Sequence, residues 1–407
     1  MLFTFVRGTM IVHRAACLVL AVWMLTGCGG GASNVAQPPN QPGNNPIRFH
    51  CAKNSTCPAV MVAGDPFAQL GNDPAPFRGY GDPSLEYDAA TRTLWMTYSW
   101  LDVLISDPGP PAVVDLGVRT HLARSTDGGN TFNFERSVNA TQSVAHPDTG
   151  ASGWLIHEVS TLTKQVDGQW QTLWLQYFDP VGDPPPERSD FQYVRSIDPT
   201  PDQLGQNATA WARGPATSAS FGATTDLSDT PQLSDCTVFT EPALFTFSGS
   251  SYLATTCIVI VGSTRQPNRD RLVLLRENSG GYDFVGNLLD GADAARVNAD
   301  TMEQADLAFD RSGGVLLTVT PIVLNADPQH KGCIVYSFAD FATANLRRDA
   351  GGAAIPRAII TADGNGLGPG LCTYDPNSAT GVLLVITTVQ QNPVDIEFSL
   401  RATGVHP

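Results

Sequence analysis

The stretch GDPSLEYDAATRTLWMTYS at residues 81–99 opens on an acidic residue, continues as a short apolar strand, turns on DAATR and returns as a more hydrophobic strand. The same order recurs at 157–178 (HEVSTLTKQVDGQWQTLWLQYF), 240–260 (TEPALFTFSGSSYLATTCIVI), 303–323 (EQADLAFDRSGGVLLTVTPIV) and 368–389 (GPGLCTYDPNSATGVLLVITTV). Turn residues fall mid-copy each time: VDGQ, SGSS, DRSGG and DPNSATG. The leading positions Asp82, Glu158, Glu241, Gln304 and Pro369 are 76, 83, 63 and 65 residues apart.

Between the copies lie LARSTDGGNTF (122–132), YVRSIDPTPD (193–202), LLRENSGGYDF (274–284) and IVYSFADF (334–341), each readable as strand, tight turn, strand. Two hairpins per unit make about four strands, and a period near 70 fits a β-propeller blade with insertions. Five units give an all-β, five-bladed β-propeller over 80–395. Residues 58–64, PAVMVAG, are available to join the last blade and close the ring, which removes exposed strand edges. A six-bladed, sialidase-like ring is the alternative, with a β-sandwich behind it. Only 287–308 and 338–348 have room for short helices.

Composition agrees. The 407 residues are 42% hydrophobic with 18 Phe, 9 Tyr and 7 Trp, enough to fill a core, which excludes wholesale disorder. Only 15% are charged, Lys is nearly absent, and 38 Gly and 30 Pro favour strands and turns over solvated helices. A net charge of −15 with no basic cluster argues against nucleic acid or anionic lipid as a partner and for a neutral or cationic ligand.

The N-terminus reads as an address. AACLVLAVWMLTG (15–27) follows Arg7 and Arg14 and is a signal-peptide core, too short to span a bilayer comfortably. It ends in Leu25-Thr26-Gly27-Cys28, which resembles the bacterial lipobox. That resemblance implies cleavage before Cys28, lipid on its thiol and, with Gly29 following, an outer-membrane address in the cell envelope. Residues 1–27 are then signal, 28–47 a flexible Gly/Pro/Asn tether, and 48–407 one propeller domain, expected to be monomeric and to touch membrane only through the lipid. Six cysteines remain in an exported chain, so disulfides are expected. Sequence proximity favours Cys51–Cys57, Cys236–Cys257 and Cys333–Cys372 among the 15 possible connectivities.

Ser125-Thr126-Asp127-Gly128-Gly129-Asn130-Thr131-Phe132 matches the Asp-box pattern of sialidase-like and other propellers, a structural turn rather than a chemical signature. The repeat leaders are more informative. Asp82, Glu158 and Glu241 come from three blades, start inner strands and converge on one channel mouth. Paired carboxyl groups held at different pKa values are what glycoside hydrolysis requires.

Gly81-Asp82-Pro83-Ser84 with Tyr98, and Thr240-Glu241-Pro242-Ala243-Leu244 with Gly249, Tyr252 and Leu253, resemble the first- and third-blade motifs of five-bladed glycosidases of glycoside hydrolase family 43. The resemblance implies that Asp82 is a general base, Glu241 a general acid and Glu158 the carboxylate that tunes the acid, acting on a neutral poly- or oligosaccharide. Two departures stand out: Glu158 replaces an Asp, and Glu241 lacks the following Gly. Arg78, His157, Gln304 and Trp100 are candidates for substrate contact, with Trp95, Trp154, Trp170 and Trp174 as further aromatic residues. A non-catalytic propeller that binds glycan or protein is the competing reading, and an exo-sialidase a further one. No cofactor or catalytic metal is implied. Asp-rich loops such as those of Asp179/Asp183 and Asp290/Asp293 are candidates for a structural Ca²⁺, with exposed turns the preferred reading. The glycine-rich 364–370 joins strand to strand, which does not suit a phosphate loop.

Overall fold

The computed structural model describes residues 45–52, 56–65, 77–106, 113–181, 188–217, 219–389 and 396–407. The chain from Pro46 to Pro407 is a compact unit whose regular structure is mostly strand, with a few short helices. The lipobox, Cys28 and most of the tether lie outside the described residues. No described helix is long and apolar enough to cross a membrane.

The strands fall into five antiparallel groups in chain order, the fifth joined to the first by parallel pairing of Ile396–Phe398 with Phe77–Gly79. The first holds Phe77–Asp88, Thr93–Ser106, Val113–Ser125 and Phe132–Ala140. The second holds Ser152–Lys164, Trp170–Pro180, Ser189–Asp198 and Ala208–Arg213. Val238–Phe247, Ser250–Ile258, Arg271–Asn278 and Gly281–Leu289 form the third. Thr301–Phe309, Val315–Ile322, Cys333–Asp340 and Pro356–Ala362 form the fourth. The fifth has Gly370–Thr373, Leu383–Val389 and Ile396–Ala402. Its fourth position is taken by residues near 59: Ala59 bridges Arg401 antiparallel, and the Val60 amide donates to the Leu400 carbonyl at 3.0 Å. The expected closure by 58–64 is therefore made by its first half. Val62–Ala63 go on to pair with the outer strand of the first blade, and Ile47–Cys51 extend the outer edge of the fourth. One strap thus laces three consecutive blades.

The first strand of each sheet is innermost, each packs on the next, and the fifth packs back on the first. Hydroxyl groups stitch this ring. Ser84 accepts from the Leu162 amide (3.1 Å), Thr161 from Leu244 (3.0 Å) and Thr373 from Leu85 (3.2 Å), so the last contact joins blade five to blade one. Between blades the apolar faces meet. Trp95, Leu122, Leu162, Trp170 and Trp174 fill the space between blades one and two. Phe245, Tyr252, Leu317 and Tyr336 do so between three and four. Strands buried on both faces need continuous apolar runs such as Leu383–Ile386, which is why their sequences do not alternate.

All three expected disulfides are formed: Cys51–Cys57, Cys236–Cys257 and Cys333–Cys372. The Asp box is the turn joining the third and fourth strands of blade one. Asp127 accepts from the Thr131 hydroxyl (2.7 Å) and amide (3.0 Å), Ser125 Oγ accepts from the Gly129 amide (2.8 Å), and Phe132 is fully buried. Gly128 and Gly129 sit at φ +75° and +90°, conformations that disfavour a side chain. Blade two holds the same device, unnoticed in the sequence. Ser196 donates to Asp198, Ser196 Oγ accepts from the Gly205 amide (2.8 Å), and Asn207 donates to Asp198 (2.6 Å). Its Ser-x-Asp signal at 196–198 is present, but an insertion separates it from the glycine.

Candidate active site

Every inner strand breaks its pairing for two residues at an equivalent point, leaving 82–83, 159–160, 241–242, 304–305 and 371–372 out of the ladder. Such bulges re-aim side chains. At the first bulge residue, Asp82, Glu241, Gln304 and Leu371 adopt φ of +44°, +52°, +57° and +51°. Non-glycine residues held there are strained by roughly 1 kcal/mol or more each, a strain that concentrates at functional sites. The register corrects two of the five leaders read from the sequence. The bulge position in blade two is Val159, one residue after Glu158, and in blade five it is Leu371, two after Pro369.

Asp82, Glu241, Gln304 and Leu371 line one depression, with Ser84 and Asp306 beneath them. The volume of this depression is about 20 Å³, room for about one water molecule. Asp82 and Glu241, from blades one and three, therefore face the same cavity. Burial pushes Asp82 up to about 6, reinforced by the nearby Glu158 charge. Burial pushes Glu241 higher, to about 8, reinforced by Asp82 and Glu303. The two carboxyl groups interact, so these values belong to the pair. Unequal affinity for a proton is the arrangement acid/base chemistry needs.

Glu158 is buried just before its bulge, at the position that Glu303 occupies in blade four. It accepts a hydrogen bond from Tyr177 and lies near Arg188, whose Nε is 3.1 Å from Asp179. Glu303 is paired with Arg265, and Arg265 Nε also donates to Asp270 at 2.6 Å. Each bulge carboxyl thus has a neighbouring glutamate from the next blade. Asp306 closes the floor. It accepts from the hydroxyl groups of Thr373 and Ser84, and burial pushes it up to about 7. Glu303 and Asp306 were missed as site residues. Asp306 was legible, because it lies two residues beyond Gln304 and inner-strand positions repeat every second residue.

The other candidates divide. Gln304 lines the cavity, with its Oε1 buried and without a hydrogen-bond partner. His157 is buried beside Trp174, whose Nε1 donates to its Nδ1 at 2.8 Å, and burial lowers it to about 4. Arg78 is engaged by Glu397 of the fifth blade at 3.7 Å and Arg124 by Glu135 at 2.6 Å. Both arginines are therefore carboxylate-paired. Trp100 is a correction: it is 0% exposed, packed edge-on to Tyr80 and parallel to His121, and presents no face to a sugar. The calcium candidates are also committed to the protein. Asp179 pairs with Arg188, Asp290 caps a helix through the Ala292 and Asp293 amides, and Asp293 binds Arg348. Asp183 lies outside the described residues.

No known family model and no curated protein matches the sequence. Among solved structures, a family-32 β-fructofuranosidase from Bombyx mori is similar with TM-score 0.47 and 11% identity over 79% of this chain and 59% of that one. A family-43 subfamily 1 enzyme from Xanthomonas citri, solved with xylotriose, has TM-score 0.45 and 10% identity over 79% and 86%. An α-L-arabinanase from Cellvibrio cellulosa, solved with arabinohexaose, has TM-score 0.39 and 10% identity over 69% and 80%. These are likenesses to propeller glycoside hydrolases; the reading of the site rests on its own geometry.

Proposed function

We propose that the protein is a glycoside hydrolase, held at the bacterial cell envelope by lipid on Cys28, that cleaves a poly- or oligosaccharide without acidic groups. The observation that carries this is the pair Asp82 and Glu241. They are buried, strained at equivalent bulges of non-adjacent blades, open to one cavity and unequal in proton affinity. Glu241, the stronger proton holder, is the general acid that protonates the departing sugar oxygen. Asp82, the weaker, is the base that activates water. Glu158 sits beside Asp82 and tunes that member of the pair, rather than the acid as the family resemblance implies. Gln304 orients substrate.

The test is hydrolysis of a panel of aryl glycosides and polysaccharides by wild type, Asp82→Asn and Glu241→Gln. Losing a general acid or base typically costs 10²–10⁴-fold in rate. Turnover that survives both substitutions would overturn the assignment. A non-catalytic glycan-binding propeller is the second reading. It is favoured by the apolar residues Val159 and Leu371 at two of the five bulges, and predicts ligand binding without turnover.

A further inference from the structure

A second cavity opens among the outer strands of blades two and three. It measures about 660 Å³, within the range of ligand sites, and shares no lining residue with the channel mouth. One wall is the connection from blade two to blade three, 224–232; the other is the turn and outermost strand of blade three, 280–284. Both walls are braced from behind. Arg213 holds Asp226 (3.0 Å) and the carbonyls of Ala223 and Thr217, and Arg271 holds the Gln232 carbonyl (3.0 Å). Tyr282 packs on Trp211, with ring centroids 5.2 Å apart, and Arg195 covers Trp211 at 3.9 Å while paired with Glu277 at 2.7 Å. The charge of the walls is nearly cancelled. No Lys, Arg or His lines the groove, Asp226 is matched by Arg213, and Asp283 is matched by Arg276 and Asn278. Apart from Asp229, the walls present neutral hydrogen-bonding groups: the hydroxyls of Thr224, Thr225 and Thr230 and the Gln232 amide, beside the half-buried rings of Tyr282 and Phe284.

We infer that this groove is a second, non-catalytic binding site for a neutral oligosaccharide segment, separate from Asp82 and Glu241. Hydroxyl groups both donate and accept, so threonine hydroxyls and a carboxamide match a polyhydroxyl ligand whichever way its own groups turn. The rings of Tyr282 and Phe284 supply apolar area for the carbon faces of sugar rings. Walls already braced cost little ordering on binding. An anionic polymer meets no cation among the lining residues, and a cationic one meets only Asp229 outside an ion pair. A polypeptide strand fits less well. Gly281–Leu289 is the edge of its sheet, but Gly286 lies against Ala344 of blade four, where an added Cβ would stand 2.9 Å from the Ala344 Cβ. That leaves about four open positions, fewer than the roughly five or six of an ordinary strand.

Amide hydrogen exchange of the full chain carrying Asp82→Asn and Glu241→Gln, so that no probe is consumed, tests this. The probes are xylohexaose, cellohexaose, arabinohexaose, the anionic hexagalacturonate and an extended threonine–valine hexapeptide. At least one neutral hexaose is expected to slow exchange at 224–232 and 280–284 by about threefold or more. Gln232→Trp and, independently, Thr224→Trp add bulk at exposed positions of the groove. Each should remove that protection, weaken calorimetric binding of the same hexaose at this site by about tenfold or more, and leave the thermal midpoint unchanged. Protection by no neutral hexaose, protection that both tryptophan variants leave in place, or protection by hexagalacturonate or the peptide instead of the neutral sugars overturns the inference. The catalytic reading fails separately. Groove protection without hydrolysis of any glycan by wild type removes that reading alone, whereas hydrolysis without groove protection removes this inference alone.

Discussion

Replacing Glu241 by Gln should stabilise the protein at neutral pH while removing its activity. Glu241 is 1% exposed, and burial raises its folded-state pKa to about 8 against 4.5 for an unperturbed Glu. A raised carboxyl contributes its stability in full below the unfolded value and loses it as pH rises through the folded one. In the unfolded chain at pH 7 the group is ionised; in the folded chain it must hold a proton. That mismatch spans about 2.5 pH units at about 1.4 kcal/mol each, or roughly 3 kcal/mol. Gln has the same shape and no proton to hold. The variant should match wild type near pH 4.5, gain about 1.4 kcal/mol per unit above it and level off beyond pH 8. Urea unfolding of both proteins at pH 4.5, 6, 7 and 8 measures this. A variant no more stable than wild type at pH 7, or an advantage that does not grow with pH, would show that Glu241 is ionised and compensated in the fold. The acid assignment would lose its physical basis with it. The stability penalty is the thermodynamic counterpart of the proposed function: a proton held where water would remove it.

Wild type itself should be more stable at pH 5 than at pH 8 by thermal midpoint, because Asp82, Asp306 and Glu241 all release protons on unfolding in that window; buried His157 and His330 oppose the trend only as pH falls below about 6.5. Removing the Cys333–Cys372 bridge, which spans 39 residues, should cost about 4 kcal/mol in denaturant titration, against about 2 kcal/mol for Cys51–Cys57, which spans six. Asp65→Ala should release the N-terminal strap, since the fully buried Asp65 accepts from Tyr98 (2.7 Å) and is paired with His121 (2.8 Å); a loss of about 3–5 kcal/mol and faster hydrogen exchange at residues 58–63 are expected. Asp127→Ala and Asp198→Ala should each destabilise by about 1–2 kcal/mol and leave ligand binding unchanged, as both only brace turns.

Much of this molecule could be read locally. The repeats carry strand and turn chemistry within some twenty residues, so five sheets and their order were legible. The disulfides followed from proximity along the chain: Cys51–Cys57 closes a short loop, Cys236–Cys257 brackets one hairpin, and Cys333–Cys372 ties blade four to the start of blade five. The Asp box was visible because all of its partners lie within eight residues. Its counterpart at Ser196 and Asp198 was hidden by an insertion, although the geometry is the same.

The site was legible in part. Asp82, Glu241 and Gln304 stood out as strand leaders, but the sequence could not place the bulge in blade two. A one-residue offset along a strand exchanges the side chain that faces the channel for its neighbour. That offset moved Glu158 from a leading position to a supporting one and left Val159 in its place. Long-range partners were likewise beyond any local pattern. Arg78 meets Glu397 more than three hundred residues away, and Arg265 finds Glu303 only because blades three and four pack side by side. The sequence by itself determined the repeating unit, its turns and which acidic residues lead its strands, since these depend on neighbours along the chain. The tertiary structure alone decided which carboxyl groups share a cavity, which are neutralised by arginine and which must keep a proton. Those outcomes depend on burial and on charges brought together through the closed ring.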